Sequence, residues 1–277
     1  MNADLHCHSY YSDGLLSPTE VMRRAAAHGV ELITLTDHDE TAGVSEASDM
    51  ALELGMRFVN GVEISVTWGN EQTIHIVGLG IDIYDKTLSD GLESVRGGRD
   101  ARAVAIGDQL AKEGIEGAYE GAIRHARNPA LVSRSHFARY LVERGLAKDV
   151  KGVFSQWLGT GKPGYVPHKW ATLQQAVQWI TGAGGMAVIA HPGRYWLEHK
   201  EMEAFLAEFK EHGGRGIEVL SSSHKPDKVE IFADYARRFD LLASRASDFH
   251  APGESWTDLG KLPDLPRDLK PVWSELI

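Results

Sequence analysis

Short runs of apolar, often branched residues recur along the chain, many separated by amphipathic stretches, and this alternation limits the possible folds more than any other feature. The runs are Ala3 to Leu5, Leu32 to Leu35, Phe58 to Val66, Ile74 to Leu79, Met186 to Ala190, Ile217 to Leu220 and Leu241 to Ser244. Runs this short and this apolar read as strands of a parallel sheet buried on both faces. Helix punctuation lies between them. It is clearest at Ser17, Pro18 and Glu20, which supply an N-cap, a first-turn proline and a capping-box partner, with Gly29 as the stop. Strand and helix in alternation specify an α/β fold. About seven strands joined by crossover-length connections favour a distorted seven-stranded (β/α) barrel over an open doubly wound sheet.

The alternation stops between residues 87 and 165. There the segments Leu88 to Glu113, Ala118 to Arg127, Ser135 to Glu143 and Val150 to Trp157 read as helices with no strand between them. The expected organisation is a barrel made of residues 1–86 and 166–277, with residues 87–165 inserted as a helical subdomain that caps the substrate. Charge follows the same division. The chain carries a formal −10, but Arg96 to Lys169 holds 13 Lys and Arg against 7 Asp and Glu. Overall charge therefore argues against general binding to nucleic acid or anionic membrane, while the insertion is locally basic. No apolar run approaches the roughly 20 residues of a membrane span, and the N-terminus lacks a signal-peptide layout. The single cysteine, Cys7, has no partner for an internal disulfide. These features lead us to expect a cytoplasmic protein with no membrane contact and no obligate protein partner.

Histidines and carboxylates cluster just beyond the strand-like runs, where barrel enzymes assemble their active sites. Asp4-Leu5-His6-Cys7-His8-Ser9 places two imidazoles at i and i+2, on one face of an extended segment, with Cys7 directed away into packing. Asp13 follows in Ser12-Asp13-Gly14. Further groups are Thr36-Asp37-His38-Asp39, Gly61-Val62-Glu63-Ile64-Ser65, Ala190-His191-Pro192 and Ser247-Asp248-Phe249-His250. His75 interrupts an otherwise apolar strand. Such imidazole and carboxylate sets suit borderline divalent ions, Mn, Fe or Zn, better than Mg or Ca.

These motifs, in this order, resemble the PHP (polymerase and histidinol phosphatase) domain family over most of the chain. The resemblance implies a metal-dependent phosphoesterase holding two to three divalent ions, Mn foremost, with Zn or Fe as alternatives. By the family pattern His6, His8, Glu63 and Asp248 hold one ion, and Asp13, His38 and His250 a second. Glu63 then bridges to a third ion held by His75 and His191. Asp248, Glu63 and His191 are the catalytic candidates, and the implied chemistry is in-line attack on phosphorus by a metal-activated hydroxide.

Ser133-Arg134-Ser135-His136 and Gly161-Lys162-Pro163-Gly164-Tyr165-Val166 resemble segments of the branch that acts on nucleotides. That points to a small nucleotide substrate, foremost the 3'-phosphate of nucleoside 3',5'-bisphosphates. The alternatives are another monoester such as histidinol phosphate or phosphotyrosine, 5'-3' trimming of short single-stranded RNA, and a non-catalytic nucleotide-binding module. Arg134 is the leading phosphate contact because a guanidinium grips two phosphate oxygens at once, with His136, Lys169, Arg194 and His224 as further candidates. Trp157, Trp170, Trp179, Trp196 and Trp256 are spread along the sequence and read mostly as packing residues.

Overall fold

The computed structural model describes residues 1–276. The strands are β1 (Ala3–Asp4), β2 (Leu32–Leu35), β3 (Arg57–Trp68), β4 (Gln72–Leu79), β5 (Met186–Ile189), β6 (Gly216–Ser221) and β7 (Leu242–Ala246), and they neighbour one another in sequence order. Backbone hydrogen bonds join the two ends of this sheet. Leu5 N–H donates to Arg245 O at 3.1 Å, Asp248 N–H to His6 O at 2.8 Å and His8 N–H to Phe249 O at 2.8 Å. The sheet thus becomes a distorted seven-stranded barrel. Inside it, Ala3, Leu32, Val59, Val77, Val188 and Leu242 pack in one buried cluster.

Ser17 and Glu20 cap α1 (Pro18–Ala27) reciprocally, at 3.1 Å and 2.8 Å, Gly29 ends it at φ +74°, and α2 (Val44–Glu53) packs beside it. Strand β4 departs from the all-parallel expectation. It pairs antiparallel with both β3 and β5, because residues 69–71 form a tight hairpin between Trp68 and Gln72, with Gly69 and Glu71 both at positive φ. Reversal puts the beginning of β4 at the same end of the barrel as the ends of the parallel strands.

The helical region begins with α3 (Lys86–Arg96) and α4 (Arg99–Lys112), which Gly97 and Gly98 separate. A single helix was expected across this stretch. Leu88, Leu92 and Val95 of α3 join the barrel's outer core beside Ala176 and Ile180 of the helix Leu173–Gly182. There Gly91 lets the backbone approach the Trp179 ring so closely that a Cβ would lie 2.5 Å from it. From α4 onward the helices have a core of their own. Ile106 and Leu110 pack with Ala122 of α5 (Ala118–His125), with Phe137 and Leu141 of α6 (Arg134–Glu143), and with Val153 of α7 (Val150–Val153). Arg139 of α6 ties this unit to the barrel through a two-pronged pair with Glu254, Nε to Oε1 at 3.0 Å and Nη2 to Oε2 at 2.8 Å. No helix among the described residues is long and apolar enough to cross a membrane.

Candidate metal centre and active site

His6 and His8 follow β1, Asp13 lies in the turn beyond them, His38 follows β2 and Glu63 lies within β3. His191 follows β5, and Asp248 and His250 follow β7. His75 joins them only because β4 is reversed: it sits opposite Ser65, two residues beyond Glu63 on the same face of β3. Cys7 points into the packed layer behind, where its thiol donates to Thr34 O at 3.0 Å.

Glu63 is at the centre of this convergence. Its fully buried carboxylate lies 3.2 Å from His6 Nε2, 3.4 Å from His8 Nε2, 2.9 Å from His38 Nδ1, 2.9 Å from His75 Nδ1 and 3.1 Å from His191 Nε2. One carboxylate cannot accept well-aligned hydrogen bonds from five imidazoles. Glu63 Oε2 and His38 Nδ1 in fact have no hydrogen-bond partner despite their closeness. Asp13 Oδ1 is also buried and unpartnered, with His250 Nε2 at 3.3 Å, His38 Nε2 at 3.8 Å and His8 Nδ1 at 4.0 Å. Facing lone pairs in a dry site are costly unless a cation lies between them. Four groups each bring their ligand atoms within 4.8 Å of one another: His8, Asp13, His38 and His250; His6, His8 and Asp248; His6, Glu63 and His191; and His38, Glu63 and His75. The residues present fit divalent ions.

The electrostatics divide the imidazoles: against the pull of burial, the neighbouring carboxylates raise His6 and His38 above the usual imidazole range and His250 up to about 9, protons that a bound cation would have to displace. Burial would raise the carboxyls of Asp13, Glu63 and Asp248, but the surrounding histidines, and Arg194 beside Asp248, hold all three well below the usual range. Burial pushes His8 and His191 down to about 3, helped by the His250 and Arg194 charges respectively. Neutral imidazole is the form that ligates a metal. Backbone strain collects here too, since Asp39 and Asp248 stand at φ 51° and His191 at φ 28°.

A second layer of acidic residues holds the first in place, and the sequence reading gave it no role. Glu218, buried on β6, accepts from His6 Nδ1–H at 2.7 Å and from the His191 backbone N–H at 2.6 Å. Asp37 accepts from Ser9 N–H at 2.8 Å and from the Ser9 and Ser12 hydroxyls at 2.6 Å each, which shapes the turn carrying Asp13. Ser133 and Ser135 at the start of α6 donate to Asp13 Oδ2 at 3.1 Å and 2.8 Å, so the helical region orients a barrel carboxylate. A lone Glu in a buried apolar strand was the available signal for Glu218.

A cleft of about 1160 Å³ opens over this cluster, walled by the barrel on one side and the helical region on the other. Arg134 and Arg194 line it, and Arg194 pairs with the Asp248 carboxylate. Three other residues expected at the substrate are not on its wall. His136 is 1% exposed and its Nδ1 accepts from Ser133 N–H at 3.0 Å, capping α6. His224 has both nitrogens committed: Nε2 accepts from Gly193 N–H at 3.0 Å, Nδ1–H donates to Val219 O at 3.1 Å, and the ring stacks on Phe232. It braces the loop that carries Arg194. Lys169 is an exposed side chain outside the cleft. Conversely, Trp170, Trp196 and Trp256 do line the cleft, and the latter two are 91% and 67% exposed.

The model of the PHP domain family matches residues 4–222. The chain belongs to the PHP family. Within it, the chain is 53% identical over 275 residues to the 3',5'-nucleoside bisphosphate phosphatase of Chromobacterium violaceum, covering 99% of this chain and 96% of that protein. It is 43% identical over 272 residues to the 5'-3' exoribonuclease of Haemophilus influenzae, covering 98% of each. A solved Chromobacterium violaceum structure, described as an amidohydrolase with bound sulfate and no metal, superposes with a TM-score of 0.97 at 52% identity, over 100% of this chain and 96% of that one. This PHP chain is accordingly a hydrolase of phosphate esters from a metal-dependent family.

Proposed function

We propose that this PHP-family chain removes the 3'-phosphate of nucleoside 3',5'-bisphosphates. The observation that carries the reading is the convergence of five imidazoles on the buried Glu63 carboxylate, with lone pairs left unpartnered, at the foot of an arginine-lined cleft. We assign His6, His8, Glu63 and Asp248 to one ion and Asp13, His38 and His250 to a second, with His75 and His191 joining Glu63 at a third. Manganese is the favoured ion, with zinc or iron as alternatives. Bound there, divalent ions supply Lewis acidity and a positive field for a phosphoryl group.

The chain's own residues supply the rest. Asp248 and Glu63, held ionised, are the groups able to take up a proton from the attacking water. His191, held neutral and fixed by Glu218 through its backbone, keeps its place beside Glu63. Arg194 bridges from Asp248 toward the cleft, and Arg134 offers the incoming phosphate a second guanidinium. The helical region, residues 87–165 in the sequence reading, caps the barrel and limits water access. Similarity to the Chromobacterium violaceum phosphatase supports a small nucleotide carrying two phosphates.

One observation favours a second substrate. The exposed Trp196 and Trp256 give the cleft flat apolar surfaces on which further bases of a short RNA could stack, and the Haemophilus influenzae relative is named an exoribonuclease. The test is phosphate and nucleotide release by manganese-loaded protein from adenosine 3',5'-bisphosphate, AMP, histidinol phosphate, phosphotyrosine and a short 5'-phosphorylated RNA. Preference for the bisphosphate is expected. Equal or better turnover of histidinol phosphate or phosphotyrosine would overturn the nucleotide assignment.

A further inference from the structure

Where β4 and β5 meet the cluster of ligand candidates, the ladder between them opens at one bond. The register pairs Ile76 with Ile189, so the next antiparallel pair is His75 with Ala190. Residues opposed in this way exchange either two backbone hydrogen bonds or none. Here one of the two is made. Ala190 N–H donates to His75 O at 3.2 Å, but His75 N–H does not return the bond to Ala190 O.

The hydroxyl of Tyr195 stands in the opening. It accepts from His75 N–H at 2.9 Å and donates to Ala190 O at 2.7 Å, with His75 O at 3.3 Å. A bridging water does the same where two strands part, but a hydroxyl on a fixed ring holds the gap at one width. The residues on either side of that gap are ligand candidates. His75 Nδ1 lies 2.9 Å from Glu63 Oε1 and 3.3 Å from His191 Nε2. His191 directly follows Ala190, and its Nε2 is 3.1 Å from the same Glu63 oxygen. A direct bond from His75 N–H to Ala190 O would draw the two backbones together and shift both rings against Glu63. A gap without the hydroxyl would leave a backbone N–H and C=O unpaired.

Tyr195 owes its place to the segment that follows His191. His191 N–H is held by Glu218 and Gly193 N–H by His224, and the turn Pro192–Arg194 closes with Tyr195 N–H donating to Pro192 O at 3.2 Å. The side chain is thereby turned back over Ala190. Its ring meets the His191 ring edge-on at 5.8 Å between centroids and rests on Phe205 of the helix His199–Glu211 at 6.4 Å. All hydrogen bonds of its hydroxyl among the described residues go to His75 and Ala190. Its influence is therefore local to one corner of the cluster.

We propose that Tyr195 is a positioning residue for the ion assigned to Glu63, His75 and His191: its hydroxyl, wedged into the β4–β5 ladder, sets the spacing at which those three side chains share one ion. The inference rests on the third-ion assignment made above.

Tyr195→Phe removes the hydroxyl and keeps the ring. Crystals of stripped wild type and variant are soaked over a range of manganese concentrations and compared by anomalous diffraction at the manganese edge. Occupancy beside His75 and His191 is read against occupancy beside His6, His8 and Asp248 in the same crystal. The manganese concentration that half-fills the first position should rise roughly ten- to hundredfold in the variant, with the second position near wild type. In solution, equilibrium dialysis at a concentration that just saturates the wild type should find about one ion fewer per variant chain. An unchanged occupancy ratio, or equal weakening at both positions as general destabilisation would give, would overturn the positioning role. Wild type with manganese beside His6, His8 and Asp248 but none beside His75 and His191 would overturn it together with the third ion. Neither result touches the substrate reading, which the phosphate-release panel tests by itself.

Discussion

Substituting Glu218 by Gln tests how far the metal centre depends on a residue that has no place in its ligand set. The carboxylate accepts through both oxygens, from His6 Nδ1–H at 2.7 Å and from His191 N–H at 2.6 Å. An amide has one oxygen and one NH2, so whichever way it is turned, one of those donors meets another donor. Turning the NH2 toward the His191 backbone leaves a buried N–H unpaired, at a cost of about 1–3 kcal/mol. Turning it toward His6 is cheaper, because the ring can move its proton to Nε2 and accept at Nδ1. That is the wrong tautomer for a ligand whose Nε2 faces Glu63 at 3.2 Å and His8 at 3.1 Å. The metal-free protein should therefore melt within a few degrees of wild type, while manganese affinity falls roughly ten- to hundredfold, about 1.4–2.7 kcal/mol. Calorimetric titration of the stripped proteins measures the affinity, and nitrogen NMR of the imidazoles reads the tautomer. Manganese binding within twofold of wild type, with His6 still protonated at Nδ1, would refute the argument.

His136 gives a pH dependence. Burial holds it down to about 4, against about 6.5 in the unfolded chain, so folding favours its neutral form. Its stabilising contribution is full above about pH 6.5 and is lost as pH falls toward 4; acidifying from pH 7 to 5 should remove about 2 kcal/mol, and urea unfolding of His136→Gln should lack that component. Glu254→Ala should cost about 2 kcal/mol, because it strands the guanidinium of Arg139, which is 7% exposed and whose Nη1 already lacks a partner. A loss below about 0.5 kcal/mol in denaturant titration would mean that water satisfies Arg139.

What the sequence disclosed follows physical lines. Buried strands need near-continuous apolar runs, so all seven were visible in the right places. The direction of β4 was missed although the sequence carried it: seven residues between Val66 and Ile74 are too few for a crossover, and Gly69-Asn70 is a hairpin turn pair. The nine ligand candidates were named through their motifs and the family resemblance, and the fold gathers their side chains at one end of the barrel, with Glu63 and His75 inside strands rather than past them. His136 and His224 were expected at the substrate phosphate, yet His136 Nδ1 and both nitrogens of His224 are taken by main-chain groups that only the fold supplies. The reverse holds for Glu218, which resembled an ordinary residue of its strand until the fold placed His6 Nδ1–H and the His191 N–H against its carboxylate.

The most direct test of the metal centre is anomalous diffraction at the manganese edge from crystals of the reloaded protein. Peaks at about 2.0–2.3 Å from donor atoms of Glu63 and the imidazoles around it, absent after chelation, are the predicted result. Density for the ion elsewhere, or undiminished phosphate release from protein shown to be metal-free, would contradict the account.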